Sequence, residues 1–540
     1  MSSPRATLSI EGLSVALPAG AERAQAVSEV NLQVNPGELL CLVGESGSGK
    51  SIIAQTVMGL LPRHVRPVGG RVLLEGEDLL SAKPERLRGL RGLKMAMIFQ
   101  EPMTALNPLM TCGAQLDEVL AQHLGLSTAE RGRRVLEMLQ RVRLPEPRTL
   151  QRAYPHQLSG GQRQRIMIAM ALALKPALLI ADEPTTALDV TTQAEILKLL
   201  TELQKESATA VLFITHDLSV VSEIADAVAV LRLGRLVEMG RASDVLGRPQ
   251  HSYTQMLLAA VPSLTPRKAP LGGHVPIRLR AKSLTKVFDD GGLLRKSRRV
   301  AAAIDVELEV RRGETLGIVG ESGSGKSTVA RLLARLLAPS GGSVQLDGAD
   351  VTRLTGAAAH AFRRRVQIVF QDPYRSLNPR RTVGAAVTEG PRNFGASRSA
   401  AWQRAAELME LVRLPAAALH RYPDEFSGGQ RQRVCVARAL AVQPEVLIAD
   451  EAVSALDVSV QAEILRLLEE IQQRLQLTVI FITHDLRVAA QICNRIVVMH
   501  RGRVVEEGPV GEVFRSPKHD YTRALLAAAP GRGISFQRPA

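Results

Sequence analysis

The sequence predicts two consecutive α/β domains, each built on a mostly parallel core sheet. An eight-residue stretch, GESGSGKS, occurs unchanged at residues 44–51 and again at 320–327. The same 268 positions separate Asp182 from Asp450 and the later matched landmarks of the two halves. In each half, short apolar segments typical of buried parallel strands alternate with helical stretches. We infer that a whole domain is duplicated, not a single motif.

The composition between the halves indicates where the domains end. Prolines and a glycine pair concentrate at residues 262–276, which is typical of a linker. Each domain should combine the parallel sheet with an N-terminal antiparallel β region and a helical subdomain. We predict a first domain at 1–246, a tail and Pro/Gly linker at 247–276, a second domain at 277–512 and a C-terminal tail at 513–540.

The overall composition indicates a folded protein without membrane-spanning helices. Of the 540 residues, 45% are hydrophobic, which is ordinary for packed cores. No run reaches the roughly 18 to 20 apolar residues of a membrane helix, and the first residues do not resemble a signal peptide. We expect the chain to stay in the cytosol or to bind a membrane only from outside.

The cysteines and the net charge are less informative. Cys41, Cys112, Cys435 and Cys493 lie far apart, so we expect reduced thiols and neither a zinc site nor a disulfide framework. The formal net charge of +15 is compatible with nucleic acid or with an anionic membrane surface. The basic runs are short and lack interleaved aromatic residues, so solvated faces explain them as well.

Both GESGSGKS stretches follow a short apolar strand and precede a helical pattern. In this context the backbone N–H groups of the loop and the positive end of the helix bind phosphates. Lys50 and Lys326 would reach the β- and γ-phosphates, and Ser51 and Ser327 would ligate Mg²⁺. The predicted nucleotide-binding residues are Gly44, Glu45, Ser46, Gly47, Ser48, Gly49, Lys50 and Ser51, and Gly320, Glu321, Ser322, Gly323, Ser324, Gly325, Lys326, Ser327 and Thr328.

The order of motifs in each half resembles that of the ATP-binding cassette (ABC) ATPases. The phosphate loop is followed by FQEP or FQDP, LSGGQ or FSGGQ, a strand ending in ADE, then ALD and ITHD. The resemblance covers nearly the whole chain. It implies two tandem P-loop NTPase domains of the ABC type that bind ATP with Mg²⁺ and hydrolyse it.

Carboxylates that end the apolar strands are the predicted hydrolytic groups. Asp182 and Asp450 would organise Mg²⁺ beside the phosphates. Their neighbours Glu183 and Glu451 are placed to polarise the attacking water as general bases, in line with the family's mechanism.

The resemblance assigns further roles near the γ-phosphate. His216 and His484 would contact the γ-phosphate and the catalytic region. Gln100 and Gln371 would offer an amide oxygen to Mg²⁺ or to the attacking water, and the family also uses this loop to sense the permease.

The SGGQ segments open helices and therefore form further anion-binding helix N-termini. By resemblance, each segment covers the ATP of the opposite domain, so that ATP binding closes the pair and hydrolysis releases it. The expected sets are Ser427, Gly428 and Gly429 with Lys50, and Ser159, Gly160 and Gly161 with Lys326.

The two halves differ next to the shared loop. Phe288 fits the position at which the family stacks an aromatic ring on adenine, whereas the first half has Leu17. Thr328 supplies a hydroxyl where the first half has Ile52. Ala452 stands where the first half has a proline, which frees the backbone of a turn at the domain interface. We predict two hydrolytic sites of unequal affinity.

Two classes of tandem cassette protein lack membrane segments: importer ATPase subunits and ribosome-associated translation factors. The translation factors join their halves by a long, charged helical segment, whereas this linker is short and contains prolines. The LNP loops at 106–108 and 377–379 and the tails HSYTQMLLAAVP and HDYTRALLAAAP resemble the dipeptide, oligopeptide and nickel uptake family. Fused subunits of this kind are similar to the ATPases of microcin C-type oligopeptide and glutathione importers. The tails are compatible with simple packing or with a regulatory role.

The importer resemblance implies partners and a location. We expect two transmembrane permease subunits, a periplasmic or extracellular substrate-binding protein, and no nucleic acid. The chain would lie peripherally on the cytoplasmic face of the bacterial inner membrane. Some relatives carry a cysteine cluster after the tail, but the final residues here contain none, so no iron–sulfur cluster is expected. In such importers the cargo touches the binding protein and the membrane subunits and not the ATPase, and import as the direction of transport is implied by the resemblance.

Overall fold

A computed structural model describes residues 6–21, 23–186, 188–269, 271–289, 299–454 and 456–531. Ala187 and Ala455 of the two ALD motifs, Pro270 of the linker and the final residues 532–540 lie outside the described residues.

The first half alternates strands and helices in the predicted order. Its strands are β1 (Leu8–Ala16), β2 (Gln25–Val34), β3 (Leu39–Val43), β4 (Arg66–Leu74), β5 (Glu77–Asp78), β6 (Met95–Ile98), β7 (Leu178–Asp182), β8 (Ala210–Thr215), β9 (Ala227–Arg232) and β10 (Arg235–Arg241). Its helices are α1 (Lys50–Met58), α2 (Pro84–Leu90), α3 (Pro102–Ala105), α4 (Cys112–His123), α5 (Thr128–Arg141), α6 (Pro147–Leu150), α7 (Gly160–Leu172), α8 (Val190–Ser207), α9 (Leu218–Ile224), α10 (Ala242–Gly247) and α11 (Ser252–Ala260).

The second half repeats this arrangement. Its strands are β11 (Ile277–Asp289), β12 (Arg299–Arg311), β13 (Thr315–Val319), β14 (Gly341–Leu346), β15 (Ala349–Asp350), β16 (Val366–Val369), β17 (Val446–Asp450), β18 (Thr478–Thr483), β19 (Arg495–His500) and β20 (Arg503–Pro509). Its helices are α12 (Lys326–Leu333), α13 (Gly356–Arg365), α14 (Pro373–Ser376), α15 (Val383–Asn393), α16 (Arg398–Leu411), α17 (Gly428–Leu440), α18 (Val458–Leu475), α19 (Leu486–Ile492), α20 (Val510–Arg515) and α21 (Asp520–Ala527).

Each half contains a six-stranded sheet that is parallel except at one edge. In the first half its order is β10-β9-β3-β8-β7-β6, with only β9 and β10 antiparallel to each other. A separate antiparallel sheet, β2-β1-β4-β5, is the predicted N-terminal β region. The second half has the same two sheets. The predicted fold is therefore confirmed.

The core lies on both faces of the parallel sheet. Along β3, Leu39, Cys41 and Val43 pack into the cluster shared with the helical subdomain, whereas Leu40 and Leu42 pack into the cluster shared with the antiparallel sheet. This alternation is the two-residue period of a strand that is buried on both faces. The phosphate loops follow β3 and β13 and are therefore anchored by fully buried strands.

Three further predictions from the sequence concern the state of the cysteines, the conformation of the linker and membrane-spanning helices. All four cysteines are buried and unbridged, and burial raises the pKa of Cys112 and Cys435 to about 11. The described linker residues 262–269 and 271–276 form neither helix nor strand, and the Asn494 side chain donates a hydrogen bond to the Ala269 carbonyl at 2.8 Å. No helix within the described ranges is both long and apolar enough to cross a bilayer.

Candidate functional site

Glycines give the phosphate loops their shape. In the first loop Gly44, Gly47 and Gly49 have φ values of 151°, 73° and 106°, a region that side chains with a Cβ rarely adopt. A Cβ at Gly44 would lie 2.2 Å from the Leu231 carbonyl oxygen. The second loop has nearly the same angles, so both loops present their backbone in one conformation.

The loop lysines are buried at the start of α1 and α12. Lys50 Nζ donates to the carbonyls of Gly44 and Glu45 at 2.7 and 2.9 Å. Lys326 makes the equivalent bonds, both at 2.7 Å. Burial lowers the pKa of both lysines, while neighbouring carboxylates oppose this shift. Each ammonium group is thus positioned to transfer its hydrogen bonds to a phosphate.

Each phosphate loop contains a buried hydroxyl that makes no hydrogen bond to the described residues. Ser48 and Ser324 are buried, yet among the described residues their hydroxyls have no hydrogen-bond partner. By contrast, Ser46 and Ser322 are exposed at the loop tips. A buried hydroxyl without a partner is costly unless a ligand satisfies it. The loops therefore fit a bound phosphate.

A hydroxyl and a carboxylate meet beside each loop. Ser51 Oγ donates to Asp182 Oδ1 at 3.2 Å, and Ser327 Oγ donates to Asp450 Oδ1 at 3.0 Å. Burial raises the pKa of both aspartates, which indicates an environment that favours a neutralising cation. Oxygen ligands of this kind fit Mg²⁺, which would offset the negative charge of the phosphates.

Glu183 turns out of its strand into the site. It follows β7 and adopts a φ of 46°, and its N–H donates to the Ile214 carbonyl at 2.9 Å. Gln100 Nε2 and Thr186 Oγ1 donate to Glu183 Oε2 at 3.0 and 2.9 Å, and His216 Nδ1 lies 3.1 Å from Oε1. The predicted base is therefore held by three side chains.

Glu451 occupies the matching position after β17, with a φ of 48°. Gln371 Nε2 donates to Glu451 Oε2 at 2.8 Å, and His484 Nδ1 lies 3.5 Å from the same oxygen. Ser454 Oγ donates instead to the Glu451 backbone carbonyl at 3.0 Å. In both halves the glutamine amide nitrogen thus faces the glutamate.

The glutamates are held in the ionised form. Burial alone would raise the pKa of Glu183 and Glu451, but the paired histidine and the loop lysine, with the Thr186 hydroxyl at Glu183, outweigh it, and the pKa of both is lowered. Burial likewise opposes protonation of His216, yet its hydrogen bond to Glu183 and nearby carboxylate charges raise its pKa. A carboxylate that stays ionised can accept a proton from water.

The SGGQ segments, called the signature segments from here on, form capped helix starts. Ser159 accepts from the Gln162 N–H at 3.3 Å and Ser427 from the Gln430 N–H at 3.3 Å, each within its own helix. Gly161 and Gly429 pack so closely on Thr192 and Val460 that a Cβ would collide with those side chains.

The two halves contact each other where the helices that follow the ALD motifs begin. The Thr191 hydroxyl at the start of α8 donates to the Glu321 carboxylate, and the Ser459 hydroxyl at the start of α18 donates to the Glu45 carboxylate. Glu45 and Glu321 belong to the predicted phosphate-binding loops, but their side chains face the opposite half. Each loop is therefore in contact with both halves.

The two positions predicted to contact adenine differ in exposure. Phe288 is 40% exposed at the end of β11, with Lys286 Nζ 5.3 Å from its ring centroid. Leu17 packs against the core of the first half, and Ala452 is buried in the turn after Glu451. An accessible aromatic face is thus present at the second of these two positions and absent from the first.

Sequence reasoning missed a buried arginine between the halves. Arg487 Nη2 lies 3.1 Å from Asp217 Oδ2 and 2.8 Å from Asp485 Oδ2, and Arg487 also contacts Ser219. The two aspartates directly follow His216 and His484. Ser219 occupies the position equivalent to Arg487, so aligning the halves would have drawn attention to this site.

Two family models match the chain, each of them twice. The model described as ABC transporter matches residues 27–186 and 304–454. The model described as oligopeptide/dipeptide transporter, C-terminal region, matches residues 237–290 and 505–534.

Curated relatives match over nearly the full length. The chain is 46% identical to the peptidoglycan transport ATP-binding protein YejF of Agrobacterium fabrum over 527 residues, 97% of this chain and 96% of the relative. It is 45% identical to the glutathione import ATP-binding protein GsiA of Escherichia coli over 570 residues, 98% of this chain and 91% of the relative. A solved dimeric ATP-binding cassette with bound ADP and Pi matches at 31% identity and a TM-score of 0.40, covering 44% of this chain and 98% of its own.

Proposed function

This chain belongs to the ABC transporter family, and on that premise we propose that it is the ATP-hydrolysing subunit of a peptide importer. The observation that carries the proposal is the repeated cluster of loop lysine, seryl hydroxyl and strand-end Asp-Glu pair. The paired tails that match the oligopeptide/dipeptide transporter region, together with relatives named for glutathione import and peptidoglycan transport, favour peptide-like cargo.

The proposed reaction is attack of water on the γ-phosphorus of ATP. Glu183 and Glu451 accept the proton of that water, the new P–O bond forms as the bond to ADP breaks, and the products are ADP and phosphate. His216 and His484 hold the carboxylates in orientation. Lys50 and Lys326 bind the phosphates, and the Ser-Asp pairs, with Gln100 and Gln371, are the proposed ligands of Mg²⁺.

We propose that the signature segments of each half complete the ATP site of the other half. The hydrogen bonds from Thr191 to Glu321 and from Ser459 to Glu45 support this arrangement, since they already join each loop to the opposite domain. ATP bound between the halves would then stabilise the closed pair, and hydrolysis would weaken it.

The proposed partners are two permease subunits at the cytoplasmic face of the inner membrane, supplied by a substrate-binding protein. Large apolar side chains are exposed near the glutamine loops, including Leu109 at 86% and Tyr374 at 63%. Exposed apolar groups beside Gln100 and Gln371 are suited to contact a permease. The basic net charge is compatible with an anionic membrane surface nearby.

The test is reconstitution of the chain with its co-encoded permeases and binding protein in vesicles. We expect ATP-dependent uptake of peptides that the binding protein retains, with no uptake when ATP is replaced by a non-hydrolysable analogue. Co-sedimentation with ribosomes at moderate salt, without recovery in the membrane fraction beside the permeases, would favour the translation-factor alternative.

A further inference from the structure

The tail helices of both halves carry a tyrosine that contacts a phosphate loop. Tyr253 lies in the first turn of α11, and Tyr521 lies in the first turn of α21. His251 and His519 cap these helices by accepting the N–H of the tyrosine at 3.1 Å. The repeated His-x-Tyr-Thr sequence thus places each tyrosine at the same position of its tail helix.

Each tyrosine hydroxyl accepts a backbone hydrogen bond from its own loop. The Glu45 N–H donates to Tyr253 Oη at 3.2 Å, and the Glu321 N–H donates to Tyr521 Oη at 3.0 Å. Tyr253 is only 3% exposed. Burial raises the pKa of both tyrosines to about 12, so the hydroxyls remain protonated and neutral near pH 7.

The same two loop residues contact the opposite half through their side chains. Glu45 accepts the Ser459 hydroxyl and Glu321 accepts the Thr191 hydroxyl. Each of these glutamates therefore links a tail tyrosine of its own half to the first turn of a helix in the other half.

The tail helices also pack on those helices directly. α11 packs against α18, and α21 packs against α8. Val458 of the second half belongs to the same buried cluster as Tyr253 and Leu257 of the first. Simple packing of the tail on its own domain does not account for this contact.

We propose that Tyr253 and Tyr521 are positioning residues through which the tails hold each phosphate loop against the opposite half. Tyr253, Glu45 and Ser459 form one connected set of hydrogen bonds, relay one. Tyr521, Glu321 and Thr191 form the equivalent set, relay two. Loss of the hydroxyl leaves the loop N–H without its acceptor, which loosens the glutamate and weakens its bond across the interface. The inference rests on the nucleotide sites proposed above.

The test is a double-mutant cycle on ATP hydrolysis by the full-length chain. Tyr253→Phe keeps the ring and its packing, and Ser459→Ala removes the other end of relay one. In the background of Glu451→Gln, in which only the first site hydrolyses ATP, we expect each single variant to lower kcat/KM for ATP by about threefold to tenfold with little change in thermal unfolding. Because both act through Glu45, the double variant should lose clearly less than the product of the single effects.

The matched control combines ends of different relays. In the same Glu451→Gln background, Tyr521→Phe with Ser459→Ala should lose the full product of the single effects, since these residues share no partner. Equal coupling in both pairs, or multiplicative effects in both, would overturn the proposal and leave the tyrosines as packing residues. Failure of the unmodified chain to hydrolyse ATP would instead contradict the proposed function, so the two failures are distinguishable.

Discussion

The two nucleotide sites share their loop residue for residue and differ around the proposed base. In the first site Thr186 donates to the Glu183 carboxylate at 2.9 Å, whereas in the second Ser454 donates to the Glu451 backbone carbonyl. The histidine lies 3.1 Å from the carboxylate in the first site and 3.5 Å in the second. The proposed base with more side-chain contacts therefore belongs to the half that lacks an aromatic residue at the predicted adenine position. Identical phosphate loops do not make equivalent sites.

The halves also differ at the interface between them. Arg487 pairs with both Asp217 and Asp485, while its counterpart Ser219 is small enough to leave room for it. A second arginine at position 219 would collide with Arg487, which already contacts Ser219, and two serines would leave two buried carboxylates unpaired. A fused chain can carry different residues at the two positions, which a symmetric homodimer cannot do.

The largest expected effect comes from removing one base at a time. Glu183→Gln and Glu451→Gln should each abolish hydrolysis at their own site, by about 10²- to 10⁴-fold, because a neutral amide cannot accept the proton. Because each single variant keeps the other site, kcat is compared among the unmodified protein, both single variants and the double variant, in which the full loss should appear. Unchanged turnover in both single variants would contradict the assignment of these bases.

Arg487→Ser should be the next largest change, because it leaves buried carboxylates without their cation. We expect a loss of about 3–5 kcal/mol in the free energy of unfolding, measured with urea near pH 7. The control Arg413→Ala removes an ion pair with Glu470 in which both side chains are about half exposed, and should change stability by less than about 1 kcal/mol.

The deficit of Arg487→Ser should depend on pH with a defined sign. In the unmodified protein burial would raise the pKa of Asp217, but the Arg487 charge lowers it, so the pair stabilises the fold above about pH 4 and loses this contribution as the pH falls. In the variant the two carboxylates that Arg487 had paired with repel each other, and protonation removes this repulsion. The difference between the two proteins should therefore shrink from about pH 7 to pH 4, and a constant difference would contradict this account.

Thr186→Val should lower kcat by roughly tenfold, because it removes a hydrogen bond to a charged, buried carboxylate while preserving shape. The matched change Ser454→Ala removes a hydroxyl that contacts only the Glu451 carbonyl, so its effect on kcat should be smaller. Single-turnover rates of both variants test the comparison. Equal losses of kcat would show that Thr186 and Ser454 contribute equally to holding the two proposed bases.

The smallest effect is expected at the adenine position. Phe288→Ala should raise KM for ATP by about twofold to tenfold with kcat nearly unchanged, since the ring stacks equally on ground and transition states. Leu17→Phe should lower KM in the first site. Nucleotide titration of each variant, made in the background of Glu183→Gln or Glu451→Gln, separates the two sites. A lower KM for Phe288→Ala, or a higher KM for Leu17→Phe, would show that adenine does not stack at these positions.

Much of each site could be predicted because its residues occupy positions defined by the local backbone. Lys50 follows a glycine turn with positive φ, and Asp182 and His216 end or follow adjacent parallel strands, so they converge wherever the sheet forms. The resemblance added the roles of Glu183 and Gln100, which the structure brings within hydrogen-bond distance of each other. The assignment of catalytic roles to these residues stays a proposal.

The sequence by itself determined the duplicated α/β fold, the two phosphate loops and the residues that converge on them, because these depend on period, strand ends and glycine conformation. Only the tertiary structure decided which distant groups meet: Tyr253 with Glu45 inside the first half, and Ser459 with Glu45 and Arg487 with Asp217 across the two halves. These partners lie 208, 414 and 270 positions apart, so no local pattern records their contact. They depend on how folded surfaces pack, which is decided only when distant parts of the chain come together.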